Sequence, residues 1–197
     1  MTINRREALM RMMAITGTVA IGAELFLTGC RAPEAKKRTE PFSPDEIALL
    51  DEISETIIPA TDTPGAKAAG VGKFMAMMAT DCYDDTAYRS FRGGLQKIDD
   101  ASRKESRKSF IESAPAERTA LLNALDKEQR KYPVEKARAE GPHYFRLMKE
   151  LTLLGYFSSE IGCTQAMRYI ESPGRYDGNV AYKKGDRAWY NPSRRIS

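Results

Sequence analysis

Apolar residues recur at helical spacing through most of the chain beyond residue 42. Residues 43–46, Ser-Pro-Asp-Glu, form a helix-capping sequence, because the serine hydroxyl can bond to the helix start and proline suits the first turn. The apolar positions that follow, up to Ile58, predict an amphipathic helix that ends at Pro59. Residues 61–66 are rich in threonine, proline and glycine and predict a loop.

Four further segments show the same periodicity and predict helices: residues 70–81, 84–98, 113–125 and 144–170. Residues 99–108 are highly charged and predict a solvated helix end, whereas residues 132–142 are polar and predict a connection. In the long apolar segment 144–170, Gly155 and Gly162 allow a bend or the close approach of another backbone.

These patterns predict an all-α fold, with a single compact helical domain of about five or six helices over residues 43–172. No alternating pattern of useful strand length occurs in the sequence. Residues 173–197 lack a repeating apolar pattern and predict an irregular tail. Trp189 near the end of this tail suggests docking, either onto the chain's own domain or onto a partner.

Residues 1–29 are typical of an export signal. Arg5 and Arg6 precede a weakly apolar run that is shorter than the roughly 20 residues of a spanning helix, and Leu-Thr-Gly-Cys closes it at Cys30. The arginine pair indicates the twin-arginine route, which carries folded proteins. Cys30 indicates cleavage before this residue and a lipid on its sulfur. The alternative is an ordinary lipoprotein signal with a chance arginine pair.

We therefore expect the protein on the periplasmic side of a bacterial membrane, anchored by lipid on Cys30, with residues 30–42 as a tether. The rest of the chain is long enough for one domain with a sizeable core. The net charge of +4 is mild and its basic residues are mixed with acidic ones. Neither this charge nor an exported location favours nucleic acid as a partner.

No recognisable catalytic or cofactor motif occurs in the sequence. It lacks the CxxCH spacing of covalent haem and a GxGxxG after a strand. The single histidine, His143, stands at a predicted helix start and is more typical of a capping or surface residue than of a ligand. Asp84 and Asp85 could hold a cation with Asp81, but they fit a helix start better. We therefore expect no cofactor in this chain.

Three residues leave alternatives open. Cys82 and Cys163 could form a disulfide outside the cytoplasm, or they could be two buried thiols that act as small apolar residues. Glu160 lies in an apolar helical context, so it could be a buried general base or a carboxylate that faces a partner.

Three segments follow one another in a distinctive order: residues 57–66 (IIPATDTPGA) with 69–71 (AGV) after them, residues 151–162 (LTLLGYFSSEIG), and residues 169–174. This order resembles the small, or gamma, subunit of membrane-bound gluconate 2-dehydrogenase, the subunit 3 family. Together the three segments span most of the domain. The resemblance implies a complex with a large FAD-dependent flavoprotein of the glucose–methanol–choline type, and a c-type cytochrome commonly takes the electrons. The small subunit has no known cofactor and helps the flavoprotein mature and cross the membrane.

The leading hypothesis from the sequence is a non-catalytic accessory subunit of a periplasmic FAD-dependent sugar or sugar-acid dehydrogenase. Cys30 departs from the family pattern, since its lipid would make the small subunit the anchor. We expect six residues to contact the flavoprotein: Pro59, Pro64, Gly65, Tyr156, Glu160 and Trp189. The alternatives are a free-standing envelope lipoprotein that binds a small ligand or scaffolds an assembly, and an enzyme that uses an acidic residue such as Glu160.

Overall fold

Helices form most of the part of the chain that the computed structural model describes, residues 41–171, 174 and 178–190. The described residues form six α-helices: α1 (Pro44–Ile57), α2 (Val71–Cys82), α3 (Asp85–Ser106), α4 (Pro115–Arg130), α5 (Val134–Glu140) and α6 (Tyr144–Ser158). A π-helical turn, Gly162–Ala166, follows α6, and two short strands are β1 (Arg168–Tyr169) and β2 (Trp189–Tyr190). The predicted all-α class is confirmed.

The helix starts use the capping residues that the sequence indicated. Ser43 Oγ accepts a hydrogen bond from Glu46 N at 3.1 Å, and the Glu46 carboxylate accepts one from Ser43 N at 2.8 Å. This reciprocal pair satisfies two backbone donors at the start of α1. Asp84 Oδ1 accepts from the backbone N–H of Ala87 at 2.7 Å, which makes it the cap of α3 rather than a cation ligand.

Helix α6 is central to the domain, because it contacts α1, α2, α3 and α4. It packs closely on two of them through small residues. A Cβ added at Gly155 would lie 2.6 Å from the Phe74 ring of α2, and one at Gly94 of α3 would lie 2.5 Å from Tyr144 Cβ. The largest fully buried side chains of the core are Tyr156, Phe91 and Phe110. Burial of such aromatic groups supplies much of the driving force for folding.

The folded domain begins at Phe42, which the sequence assigned to the tether. Phe42 is buried, and its ring makes edge-to-face contacts with Tyr88 and Phe91 of α3 at centroid distances of 6.1 Å. The remaining tether residues 30–40 and the predicted signal at residues 1–29, with Arg5, Arg6 and Cys30, lie outside the described residues. None of the helices in the described part of the chain has the length and apolar character needed to cross a membrane.

Two segments differ from the predictions. The connection predicted at residues 132–142 contains helix α5, which buries no residue and therefore shows no apolar periodicity in the sequence. The long segment 144–170 bends after Gly155 rather than at it. Helix α6 ends at Ser159, which has extended backbone angles. The backbone at Gly162 then lies against the last turn of α6, where an added Cβ would be 2.7 Å from the Tyr156 carbonyl carbon.

Part of the predicted irregular tail pairs with the end of the domain. Strand β2 lies parallel to β1, with Trp189 opposite Arg168, and Arg168 N donates a hydrogen bond to Ala188 O at 2.8 Å. The Arg168 guanidinium also lies over the Trp189 ring, 4.5 Å from its centroid. The sequence analysis missed this pair because strands of two residues are too short to show alternation.

Candidate functional site

The loop between α1 and α2 is held by an acidic side chain of α1. Glu55 accepts hydrogen bonds from Ala60 N at 3.0 Å and from Lys67 N at 2.8 Å, so one carboxylate joins both sides of the loop. Ala66 N also donates to Ile58 O at 3.0 Å. Hydrogen bonds from backbone N–H groups to a carboxylate are charge-assisted and therefore strong. The loop is thus an ordered part of the fold.

A second carboxylate of α1, Glu52, links this loop to α4. It pairs with Lys67 Nζ at 2.5 Å and with the Arg118 guanidinium. Burial acts to raise the pKa of Glu52, but the hydrogen bond from Lys67 and the charges of Arg118 and Lys67 outweigh it and hold this pKa below its usual value. Glu52 is therefore a charged structural group at neutral pH, rather than a proton-transfer group.

Tyr156 of α6 joins the two segments that carry the family resemblance. Its hydroxyl donates a hydrogen bond to Pro64 O at 2.8 Å and lies 3.4 Å from Thr63 Oγ1. Tyr156 is 2% exposed. Because the bond connects residues 92 positions apart, it fixes the loop against the C-terminal end of α6.

Two glycines permit the close contact between this loop and α1. A Cβ added at Gly65 would clash with the Glu55 carboxylate, at 2.5 Å from Cδ. A Cβ at Gly72 would lie 2.9 Å from the backbone nitrogen of Asp51 and would also clash with its carboxylate, which accepts a hydrogen bond from Gly72 N at 3.0 Å. The glycines are thus required by close approach of the backbone to acidic side chains of α1.

The six residues predicted to contact a partner fall into two groups. Gly65 and Tyr156 are buried, and both hold the loop to the domain. Pro59 and Glu160 are exposed, Pro64 is half-buried, and 46% of Trp189 is exposed. The exposed position of Glu160 also contradicts its alternative role as a buried general base.

The outer face of α6 carries an apolar stripe. Leu153, Leu154 and Phe157 are 41%, 51% and 40% exposed. Positions three and four apart share one face of a helix, so these three side chains form a continuous surface, called here the α6 stripe. Single exposed leucines are ordinary, but a continuous exposed apolar surface is typical of a protein-binding site.

The loop tip lies at the same end of α6 as this stripe. Residues 59–62 are exposed, and the Tyr156–Pro64 hydrogen bond holds their loop beside the last turns of the helix. The rings of Tyr156 and Phe157 are 5.2 Å apart in an edge-to-face arrangement, so the buried anchor adjoins the exposed stripe. The described end of the domain therefore presents an ordered loop next to an apolar helix face.

Cys82 and Cys163 are free thiols in the described part of the chain. Helices α2 and α6 run antiparallel. Phe74, near the start of α2, packs against Gly155 near the end of α6, whereas Tyr83, just after α2, is close enough to Glu150 in the first half of α6 to feel its charge electrostatically. Cys82 is therefore at the opposite end of this helix pair from Cys163. Cys163 is buried, as the other alternative required, but Cys82 is exposed, with its sulfur 3.9 Å from Met78 Sδ.

The acidic side chains beside the loop act as structural groups. Glu52 is engaged by two cations, and Glu55 is engaged by two backbone N–H groups. Among the described residues, no group of three or more histidine, cysteine, aspartate or glutamate side chains is placed to hold a metal ion.

Sequence analysis missed the acidic side chains that hold the loop: Asp51, Glu52 and Glu55. The sequence did contain a signal for them. Asp51 and Glu52 lie four and three positions before Glu55, near one another on α1, and the glycine-containing loop that follows brings its backbone N–H groups within their reach. The α6 stripe also left a signal. The apolar positions of residues 144–158 are too many for one helix face to bury.

Comparison with known proteins agrees with this arrangement. The family model described as gluconate 2-dehydrogenase subunit 3 matches residues 44–174, which include the loop, α6 and the π-helical turn. No curated protein and no solved structure matches the chain significantly. The family name implies a subunit of a multi-subunit gluconate dehydrogenase complex. Since the match covers most of the chain and begins at the first helix, this protein belongs to the gluconate 2-dehydrogenase subunit 3 family.

Proposed function

We propose that this chain is a non-catalytic accessory subunit of a periplasmic, membrane-associated FAD-dependent sugar or sugar-acid dehydrogenase. It binds the folded flavoprotein, assists its maturation and carries it through the twin-arginine route by means of Arg5 and Arg6. Lipid on Cys30 then anchors the complex at the membrane. FAD belongs to the large subunit, and a c-type cytochrome accepts the electrons where the complex contains one.

The exposed α6 stripe, in a chain that belongs to a family of dehydrogenase subunits, is the observation that carries this proposal. Interfaces between stable subunits concentrate their binding energy in a few apolar and aromatic anchors surrounded by polar groups. Leu153, Leu154 and Phe157 supply such anchors, and the exposed loop tip at residues 59–62 supplies polar groups beside them. The family name implies a multi-subunit dehydrogenase complex, and we infer that the catalytic subunit is the partner at this surface.

The binding step is tested by placing a charge in the stripe. Leu154→Glu should reduce the amount of flavoprotein that co-purifies with the lipoprotein after mild solubilisation, because a buried unpaired carboxylate opposes association. Loss of a central anchor costs about 2 kcal/mol, so we expect affinity to fall roughly 30-fold. Val134→Glu on α5 is the matched control, since Val134 is 61% exposed and lies outside the stripe.

Three outcomes contradict the binding step. Co-purification that survives Leu154→Glu would exclude the stripe as the interface, and equal loss with Val134→Glu would indicate a general effect of charge. Recovery of the native protein without any flavoprotein would support the free-standing lipoprotein instead.

The export step is tested separately with the signal. Replacing Arg5 and Arg6 by lysine should leave both this chain and the flavoprotein in the cytoplasm, since twin-arginine recognition requires the arginine pair. Unchanged export of the flavoprotein would show that it does not depend on this chain for transport.

A further inference from the structure

A polar cavity of about 560 Å³ lies at the other end of α6, where that helix begins next to α3, α4 and α5. It is called here the His143 pocket, and six of its lining residues define it: Arg89, Lys97, Glu128, Tyr132, Lys136 and His143. Its volume falls within the range of small-molecule sites, roughly 300–1,000 Å³. Its lining of charged and polar groups suits a charged ligand better than an apolar one.

His143 places a buried hydrogen-bond donor in the wall of this pocket. The side chain is 4% exposed, and its ring stacks on Tyr144 at a centroid distance of 4.4 Å. Nδ1 accepts a hydrogen bond from the backbone N–H of Phe145 at 3.3 Å, which caps α6. In the neutral ring the proton must then be on Nε2.

This donor makes no hydrogen bond of good geometry within the described part of the chain. The nearest acceptor, Glu128 Oε1, lies 3.5 Å from Nε2, so any bond to it is long and weak, and the Glu128 side chain is 63% exposed. Buried polar groups in folded proteins are nearly always paired, so an orphaned N–H that lines a cavity points to a ligand acceptor.

Of the three cationic side chains that line the pocket, one is paired with a carboxylate of the described residues. Neither Arg89 nor Lys97 forms a salt bridge with a described residue, whereas Lys136 lies 3.8 Å from Glu140. Lys97 Nζ lies 5.4 Å from the Tyr144 ring centroid, above the ring that stacks on His143. Positive charge and the His143 donor are thus on the same cavity wall.

The protonation state of His143 agrees with a neutral donor. Burial lowers the pKa of His143 below its usual value, and it outweighs the charge of Glu128 and the weak hydrogen bond to that carboxylate, which act to raise this pKa. The charges of Lys97 and Lys136 lower it further. The ring is therefore uncharged at neutral pH.

We propose that the His143 pocket binds a small oxyanion, a carboxylate or phosphate group, whose oxygen accepts the hydrogen bond from His143 Nε2 while Arg89 and Lys97 balance its charge. Glu128 swings toward solvent when the anion binds, which its exposed position allows. This site is at the opposite end of α6 from the α6 stripe, so it is independent of the surface proposed for the flavoprotein.

The only histidine of the chain makes a direct test feasible. The full-length protein, purified with a tag that contains no histidine and labelled with ¹⁵N-histidine, is titrated with sodium phosphate and with sodium acetate. Sodium chloride at the same ionic strength is the control. We expect a saturable shift of the His143 ring signals with phosphate or acetate, with a dissociation constant on the order of 1 mM. The better of the two probes identifies the head group.

Charge variants then locate the bound anion. Lys97→Gln should weaken binding about 3- to 10-fold, as for loss of one charge-assisted contact at an exposed site. Lys73→Gln on α2 removes the same charge from an exposed position outside the pocket, and it should leave affinity unchanged. Glu128→Gln should strengthen binding, because it removes a like charge that lies near Nε2.

The proposal is overturned if neither probe gives a saturable shift beyond that of chloride. Equal weakening by Lys73→Gln and Lys97→Gln would also overturn it, since this would show general screening. Weaker binding in Glu128→Gln would also overturn it, because removal of a like charge next to Nε2 cannot weaken an anion that binds there. The tested variants change exposed side chains only, so the folded core is left intact.

Discussion

The contribution of the Tyr156–Pro64 hydrogen bond to the free energy of unfolding can be measured with one substitution. Tyr156→Phe removes the hydroxyl and keeps the buried ring, so it isolates the bond of 2.8 Å to Pro64 O from the packing of the aromatic group. Pro64 is half-buried, which lets water replace part of the lost bond. We therefore expect a loss of about 1 kcal/mol in the free energy of unfolding, in the middle of the range for one neutral hydrogen bond.

The assay is urea unfolding of the full-length protein, followed by circular dichroism at 222 nm. The midpoint should fall while the m-value stays the same, because the variant exposes the same surface on unfolding. The corresponding decrease in Tm is about 2–4 °C for a domain of this size. Tyr182→Phe is the control, since Tyr182 is 74% exposed and its change should lie within about 0.5 kcal/mol of zero.

One result would refute this account of the loop. If Tyr156→Phe unfolds at the same urea concentration as the natural protein, the hydroxyl contributes nothing to stability, and the bonds from Glu55 and α1 hold the loop without it. A loss above about 3 kcal/mol would also contradict it, because one neutral hydrogen bond to a half-buried acceptor cannot supply that much.

Three other predictions test different parts of the molecule. Gly93→Ala should stabilise the protein by roughly 0.5–1 kcal/mol, because nothing lies within 4 Å of the added Cβ and alanine favours the helix. Gly72→Ala should instead destabilise it by about 1–3 kcal/mol, because the added Cβ clashes with Asp51. Urea unfolding measures both changes. Cys30→Ser should move the protein from the membrane fraction to the soluble periplasmic fraction, as fractionation and immunoblotting would show, and continued sedimentation with membranes would contradict lipid anchoring. The folded-state pKa of His143 lies below its usual 6.5, so as pH falls the unfolded chain binds a proton before the folded protein does. The free energy of unfolding should therefore decrease between pH 7.5 and 6. If a His143→Asn variant shows the same decrease, another group is responsible for it.

The helices could be predicted because their signals are local. A capping serine, a proline in the first turn and apolar residues three and four apart act within one helix, so Ser43 and the start of α1 could be predicted from a few neighbouring residues. Helix α5 could not, because it buries no residue and its polar sequence shows no periodicity. The pair of two-residue strands formed by Arg168 and Trp189 depends on residues 21 positions apart and left no local pattern.

The candidate site was predicted in part. Residues 57–66 and 151–162 both carried the family resemblance in the sequence. The sequence did not indicate that Tyr156 and Gly65 are buried against the domain. Which apolar residues of α6 stay exposed could not be predicted either. Leu151 and Leu154 are equally apolar, and only the packing of α6 on its neighbours buries the first and leaves the second on the surface.

By itself, the sequence determined the fold class, the family and the expected address of this protein, because composition, caps and motif order are properties of neighbouring residues. Only the tertiary structure decided the role of each residue. It brought Glu55 and Tyr156 to the same loop, separated Cys82 from Cys163, and left the Nε2 donor of His143 facing a cavity with positive charge. Each of these facts depends on which helices pack together, and that choice follows from the burial of the whole core rather than from any single segment.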